Sequence, residues 1–188
     1  MKKGLFCIII LASLTAMAQR DSLPYAAFPP APEHYSSGTV VSRMLDGLGF
    51  RYYWATEGLR PIDLSFKPSP EARTSQETLE HIYALSTMII NVVGGNQNLP
   101  SQYKTFAELR KATLENVKKA STIIAGYSDA DMENLKVDFG GTKLPFWNMI
   151  NGPISDCLWH VGQVVSFRRS SGNPFSAKVE VFLGKIMN

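Results

Sequence analysis

Apolar residues recur at three- and four-residue spacing in four separate stretches of this chain, each bounded by residues that start or stop helices. The first stretch opens at Ser36, and Val40, Val41, Met44, Leu45, Leu48, Tyr52 and Ala55 make one stripe along it before Gly58 and Pro61 end it. From Asp63 to Arg73 the chain is polar and carries Pro68 and Pro70, which predicts a loop. Thr74 or Ser75 then caps a second helix, whose early Glu77 suits the positive end of the helix dipole. Its buried side is Leu79, Ile82, Leu85, Met88, Ile89 and Val92, and Gly94-Gly95 stops it. Between Thr105 and Ile124, Phe106, Leu109, Leu114, Val117 and Ile124 recur among lysines and glutamates, the mark of an amphipathic third helix. Leu135 to Leu144 holds Val137, Phe139 and the turn pair Gly140-Gly141, so a short hairpin or extended loop is expected there. The fourth helix enters at or before Pro153 and runs through Asp156, His160, Gln163 and Phe167 to Arg169, with Gly172 and Pro174 closing it. Arg168 and Arg169 in its last turn suit the negative end of the dipole and need no ligand. Four amphipathic helices and at most one hairpin predict an all-α fold, a four-helix bundle.

The ends of the chain refine this picture. Lys2 and Lys3, an apolar run from Gly4 to Leu14, and Ala16-Met17-Ala18 have the layout of a secretory leader, expected to be cleaved after Ala18. The run is shorter than the roughly 20 residues a spanning helix needs, and nothing later is apolar enough to span. Export to the periplasm or the medium is therefore expected, with no membrane attachment once the leader is gone. Cys7 lies inside the apolar run and not after a small-residue box, which argues against a lipid anchor on it. Residues 19–35 carry Pro24, Pro29, Pro30 and Pro32 without regular apolar spacing, an extended arm. The bundle domain then takes 36–188. Loss of Lys2 and Lys3 lowers the formal charge from +3 to +1. Such a near-neutral chain without basic runs is a poor match for nucleic acid. Of the two cysteines only Cys157 survives processing, so no internal disulfide can form and stability must come from packing.

Three histidines remain, and two of them sit in helices. His34 lies in the proline-rich arm as a solvated residue. His81 is flanked by Leu79, Ile82 and Leu85, so its imidazole is expected to point inward or to a cavity edge. His160 follows Asp156 by four residues, a spacing that puts both side chains on one helical face, one turn apart. If the second and fourth helices face each other, His81, Asp156 and His160 offer two imidazoles and a carboxylate to one divalent ion, with zinc, nickel and iron the suitable choices. Glu77, one turn before His81, is expected to orient that ring, to serve as a substitute ligand, or simply to face the helix dipole. Gln163, three residues past His160, is expected to reach a bound ligand or to serve the packing that Gly162 permits. Cys157 lies three residues before His160, the spacing of a thiolate and base pair, although a lone buried cysteine is more often a small core residue. Trp54 and Trp159, with Tyr52 and Tyr53, are either pocket lining for a small apolar molecule or core.

Asp156 to Gln163, D-C-L-W-H-V-G-Q, followed by V-V-S-F-R-R-S-S-G-N-P through Pro174, resembles the last-helix signature of the DinB-like family, where H-x-x-x-H is followed by x-G-Q. Ser75 to Ile82, S-Q-E-T-L-E-H-I, is similar to that family's second-helix motif with its single histidine. The resemblance spans Gly38 to Pro174. It implies a four-helix bundle, often a homodimer, with a three-histidine zinc or nickel site, and relatives that include thiol-dependent transferases and isomerases. His81 and His160 match the family ligands, whereas Asp156 stands where the first histidine of the pair is found. The site then either persists with a harder ligand or has lost its metal, leaving Asp156 and His160 as a hydrogen-bonded pair.

Two functions follow from these expectations. One is an exported metal-dependent hydrolase or transferase. The other is a non-catalytic ligand-binding or dimeric structural module. No phosphate-cradling glycine loop, serine nucleophile elbow or cysteine cluster occurs in the sequence to suggest other chemistry.

Overall fold

Three of the four long helices are started by a hydroxyl residue that accepts from a backbone N–H of its own first turn. The computed structural model describes residues 23–95 and 103–187; the expected leader, 1–18, and the first residues of the arm lie outside them. Helix α1, Ser37–Thr56, begins at Ser36, whose hydroxyl accepts from the Thr39 N–H while the Thr39 hydroxyl receives the Ser36 N–H. Thr74 and Glu77 box the start of α3, Ser75–Val92, and Thr105 and Glu108 that of α4, Phe106–Ile124. These reciprocal bonds satisfy N–H groups that a helix start otherwise leaves open.

A short helix α2, Pro61–Ser65, separates α1 from α3. This corrects the expected loop over its first residues, 63–65, while 66–73 are irregular as expected: Pro61 opens a new helix as well as ending the old one, because its fixed φ and missing N–H suit a first helical position. Past α4 come a short α5, Asp129–Asn134, and an antiparallel hairpin of β1, Lys136–Phe139, and β2, Thr142–Pro145, which pairs Val137 with Leu144 across Gly140-Gly141. Both glycines have positive φ, as a two-residue hairpin turn requires.

The last helical segment is continuous from Trp147 but changes pitch. Its first turn, α6, is Trp147–Met149, a π-type turn covers Ile150–Ile154, and α7 is Ser155–Ser170. Pro153 has no N–H to give and its ring crowds the carbonyl one turn back, so the wider turn absorbs it. A final pair of two-residue strands, β3 Val179–Glu180 and β4 Lys185–Ile186, ends the described chain.

The long helices form a ring in which α1 packs on α4 and α7, and α3 packs on the same two, so α3 and α7 are neighbours. The interior is Leu45, Leu48, Tyr52, Leu79, Ile82, Ile89, Ile90, Leu114, Val117, Ile124, Met149, Ile154, Cys157 and Val164. At Gly38 the start of α1 lies against the carbonyls of Ile124 and Tyr127, so close that a Cβ there would collide with backbone.

The predicted apolar stripe of α1 is displaced at its first turn, for Val40 is 46% exposed while Val41 is buried. Further along, Leu45 to Phe50 are buried on every side of the helix. The cause is the arm. Tyr25 is buried on α1, its hydroxyl donates to Asp46, and its ring occupies the space over Gly49. Phe28 meets Phe50 edge-on at 4.7 Å, and the Arg43 guanidinium donates to the Pro29 carbonyl. The proline-rich segment is thus a docked strap. Among the described residues no helix is long and apolar enough to cross a membrane.

Candidate metal centre

On α7 the residues Cys157, Val161, Val164 and Arg168 face the interior, and Asp156, His160 and Gln163 form the adjacent stripe at the shoulder of that face. On α3, Ile82 and Leu79 are core, and His81 takes the corresponding shoulder. Because α3 and α7 pack side by side, the two shoulders meet at a seam open to solvent along one edge.

There, His81 Nε2 lies 3.3 Å from Asp156 Oδ2, and His160 Nε2 lies 3.3 Å from Asp156 Oδ1. The two imidazoles stand edge to face, with centroids 4.8 Å apart and planes at 85°. One donor atom from each residue can be chosen so that all three fall within 4.8 Å of one another. The side chains are 32%, 40% and 14% exposed for His81, Asp156 and His160, so the cluster is reachable while its inner member is held in place.

Each 3.3 Å contact, one to each oxygen of the carboxylate, is close to the about 3.4 Å expected between two ligand atoms of a tetrahedral ion with bonds of about 2.1 Å. Two neutral nitrogens and one carboxylate form a borderline-to-hard donor set that suits zinc, nickel or iron. The residues present therefore fit a divalent ion.

Gln163 completes the seam. Its Oε1 lies 2.7 Å from His160 Nδ1, the ring nitrogen that faces away from Asp156. The i to i+3 spacing on α7 makes this contact possible and was the signal in the sequence, which had suggested a contact to ligand or a packing role instead.

The other residues singled out in the sequence are placed elsewhere. Glu77 turns its carboxylate back onto the Thr74 N–H and hydroxyl, at 2.7 and 3.0 Å, and these bonds hold its carboxyl below the ordinary carboxylate range. It serves the helix start. The Trp54 indole donates to the Ala26 carbonyl and packs edge-on with Phe50 and Tyr53, which ties it to the arm. Trp159 is 72% exposed, its ring in solvent. Tyr52 is buried with its hydroxyl unpartnered, and Tyr53 lies under the Arg110 guanidinium. These four aromatics do not gather into one pocket.

Cys157 is fully buried and points its thiol at the Ile82 carbonyl. Burial pushes that thiol far above its ordinary pKa, which removes it as a thiolate partner for His160.

Arg168 does more than meet the negative end of its own helix dipole. It is buried, and its Nη1 donates to the carbonyls of Trp54, Ala55 and Glu57 at the end of α1, while Nε donates to the Asn173 carbonyl. Sequence reasoning also passed over Asp63, a buried carboxylate that receives Arg60, Ser171 and Asn173. An isolated acid in a proline-flanked segment carries no periodic signal.

No protein-family model and no curated protein sequence matches the chain. Among solved structures, a DinB family member protein from Shewanella denitrificans matches with a TM-score of 0.50 at 18% identity, covering 80% of this chain and 91% of that one. At that identity the likeness speaks for fold alone. The helix ring and this likeness lead to one conclusion: the chain has the DinB-like four-helix-bundle fold.

Proposed function

We propose that this chain is an exported divalent-metal protein in which His81, Asp156 and His160 hold zinc, nickel or iron, and that it acts as a metal-dependent hydrolase or transferase. The observation that carries this is the convergence of three ligand-type side chains from helices 75 residues apart in sequence on one half-open seam. Bound there, a divalent ion supplies Lewis acidity toward an oxygen of a small substrate. The chain's own part is to orient the ligands and to keep one side accessible. The leader-like start supports a site of action outside the cytoplasm, where low-molecular-weight thiols are scarce, and this favours hydrolysis over thiol transfer. The homodimer implied by the family resemblance belongs to the same proposal.

The test is metal analysis of the mature protein purified without a histidine tag. One equivalent of ion, lost in His160→Ala, is the expected result. Expression from the full sequence should give a mature chain beginning at Gln19 by intact mass, and light scattering should give twice the monomer mass. A second reading is favoured by the carboxylate lying 3.3 Å from each imidazole, since a metal-free hydrogen-bonded cluster has the same contacts. In that reading the protein is a ligand-binding or structural module. Failure to take up zinc, nickel or iron on reconstitution selects it.

A further inference from the structure

We propose that Gln163 is a positioning residue that sets the tautomer of His160 and thereby keeps the cluster open to a cation; this rests on the metal reading above. A neutral imidazole has one N–H, and whichever nitrogen carries it, the other is a lone pair. His160 Nδ1 faces the amide oxygen of Gln163 at 2.7 Å, shorter than the usual 2.9–3.0 Å of an N–H···O bond. An oxygen at that distance requires a donor, so the proton sits on Nδ1. Nε2 is left as a lone pair, and it points at Asp156 Oδ1 from 3.3 Å.

The consequence is a contact between two acceptors. A lone pair and a carboxylate oxygen repel unless positive charge lies near both, and the second carboxylate oxygen already faces His81 Nε2 at 3.3 Å. Had His160 the other tautomer, its Nε2–H would donate to Asp156 and the pair would satisfy itself. A metal would then have to displace a proton and break that bond. With the N–H of a neutral His160 turned to Gln163, Nε2 and Asp156 Oδ1 face each other as two acceptors, and a cation between them relieves the repulsion. The arrangement is the helix-internal counterpart of the carbonyl or carboxylate that holds the far nitrogen of many metal-binding histidines.

The test uses the mature protein with Gln163→Leu and Gln163→Glu. Two-bond nitrogen–proton correlation spectra of the metal-free protein read the tautomer directly. Wild type should show His160 protonated at Nδ1, and Gln163→Leu should move the proton to Nε2. Zinc affinity, measured by chelator competition, should fall about 10–100-fold in Gln163→Leu and hold or tighten in Gln163→Glu, which keeps the acceptor. Thermal melts without metal identify any loss of fold in the leucine variant, and Gln163→Glu then carries the affinity comparison alone. An Nε2–H tautomer in the wild type, or unchanged zinc affinity in a folded Gln163→Leu, overturns the assignment. Should the wild type bind no zinc, the metal reading fails, while the spectra still decide the role of Gln163.

Discussion

Asp63 and Arg168 show how single buried charges set the stability of this bundle. The Asp63 carboxylate accepts from Arg60 at its backbone N–H, Nε and Nη2, and from Ser171 and Asn173 at 2.6 Å each. The Arg60 guanidinium, with those other donors, holds the carboxyl far below the ordinary range. A depressed folded pKa means that the stabilisation is complete above the unfolded value of about 3.9 and is lost as the pH falls below it toward the folded value. Melting temperature should therefore drop on acidification below about pH 4, and Asp63→Asn should lower it at pH 7 by an amount equivalent to about 3 kcal/mol while flattening that acid limb. Cys157→Ala tests the opposite expectation. Its thiol is buried against the Ile82 carbonyl, so the change should cost about 1 kcal/mol and leave metal affinity unaltered, measured by denaturant melts and chelator competition. At this scale the site was legible in part. The four-residue step from Asp156 to His160 is a property of any helix, but whether His81 meets them depends on which helices are neighbours, and one-dimensional spacing does not contain that. The distant partners of Asp63, Ser171 and Asn173, lie 108 and 110 residues away, beyond any local pattern.

Among the elements, the helices were legible because cap and stripe agree: Thr74 with Glu77, and Thr105 with Glu108, stand directly before their apolar repeats. What periodicity could not reveal is where a helix is buried by something aperiodic. Helix α1 looks half-polar, with Ser42, Asp46, Gly47 and Gly49 between its apolar positions, yet all four are buried. Ser121 and Tyr25 hydrogen-bond to Asp46, and the Tyr25 ring of the arm closes over Gly49. Starting the chain at Ser36 should thus expose a helix face that evolved to be covered. Loss of the Tyr25 burial alone amounts to about 2–3 kcal/mol, a fall in melting temperature on the order of 10 °C at this chain length. Gly49→Ala should move the same way by forcing the Tyr25 ring outward, and calorimetry of the two variants separates loss of the strap from its displacement. The π-type turn at Pro153 was likewise invisible, since the apolar pattern on either side of it reads as one helix.

At the level of the whole molecule, the seam joins two helices that are far apart along the chain, α3 and α7. An ion held there would bridge them and stabilise the folded state in proportion to its occupancy, by about 2.7 kcal/mol at a hundredfold excess over its dissociation constant. Zinc titrated into the apo protein should raise the melting temperature by about 5–10 °C, and His81→Ala or His160→Ala should abolish the rise. The carbonyls that end α1 have a different dependence. Trp54, Ala55 and Glu57 obtain their donor from Arg168, more than 110 residues later. During synthesis, α1 leaves the ribosome before α7 and must wait for it before its end is sealed, so the ring closes only once α7 has been made. Nascent fragments ending before Arg168 should remain open to protease at the α1 terminus, and the protein should fold late and in one step instead of growing helix by helix.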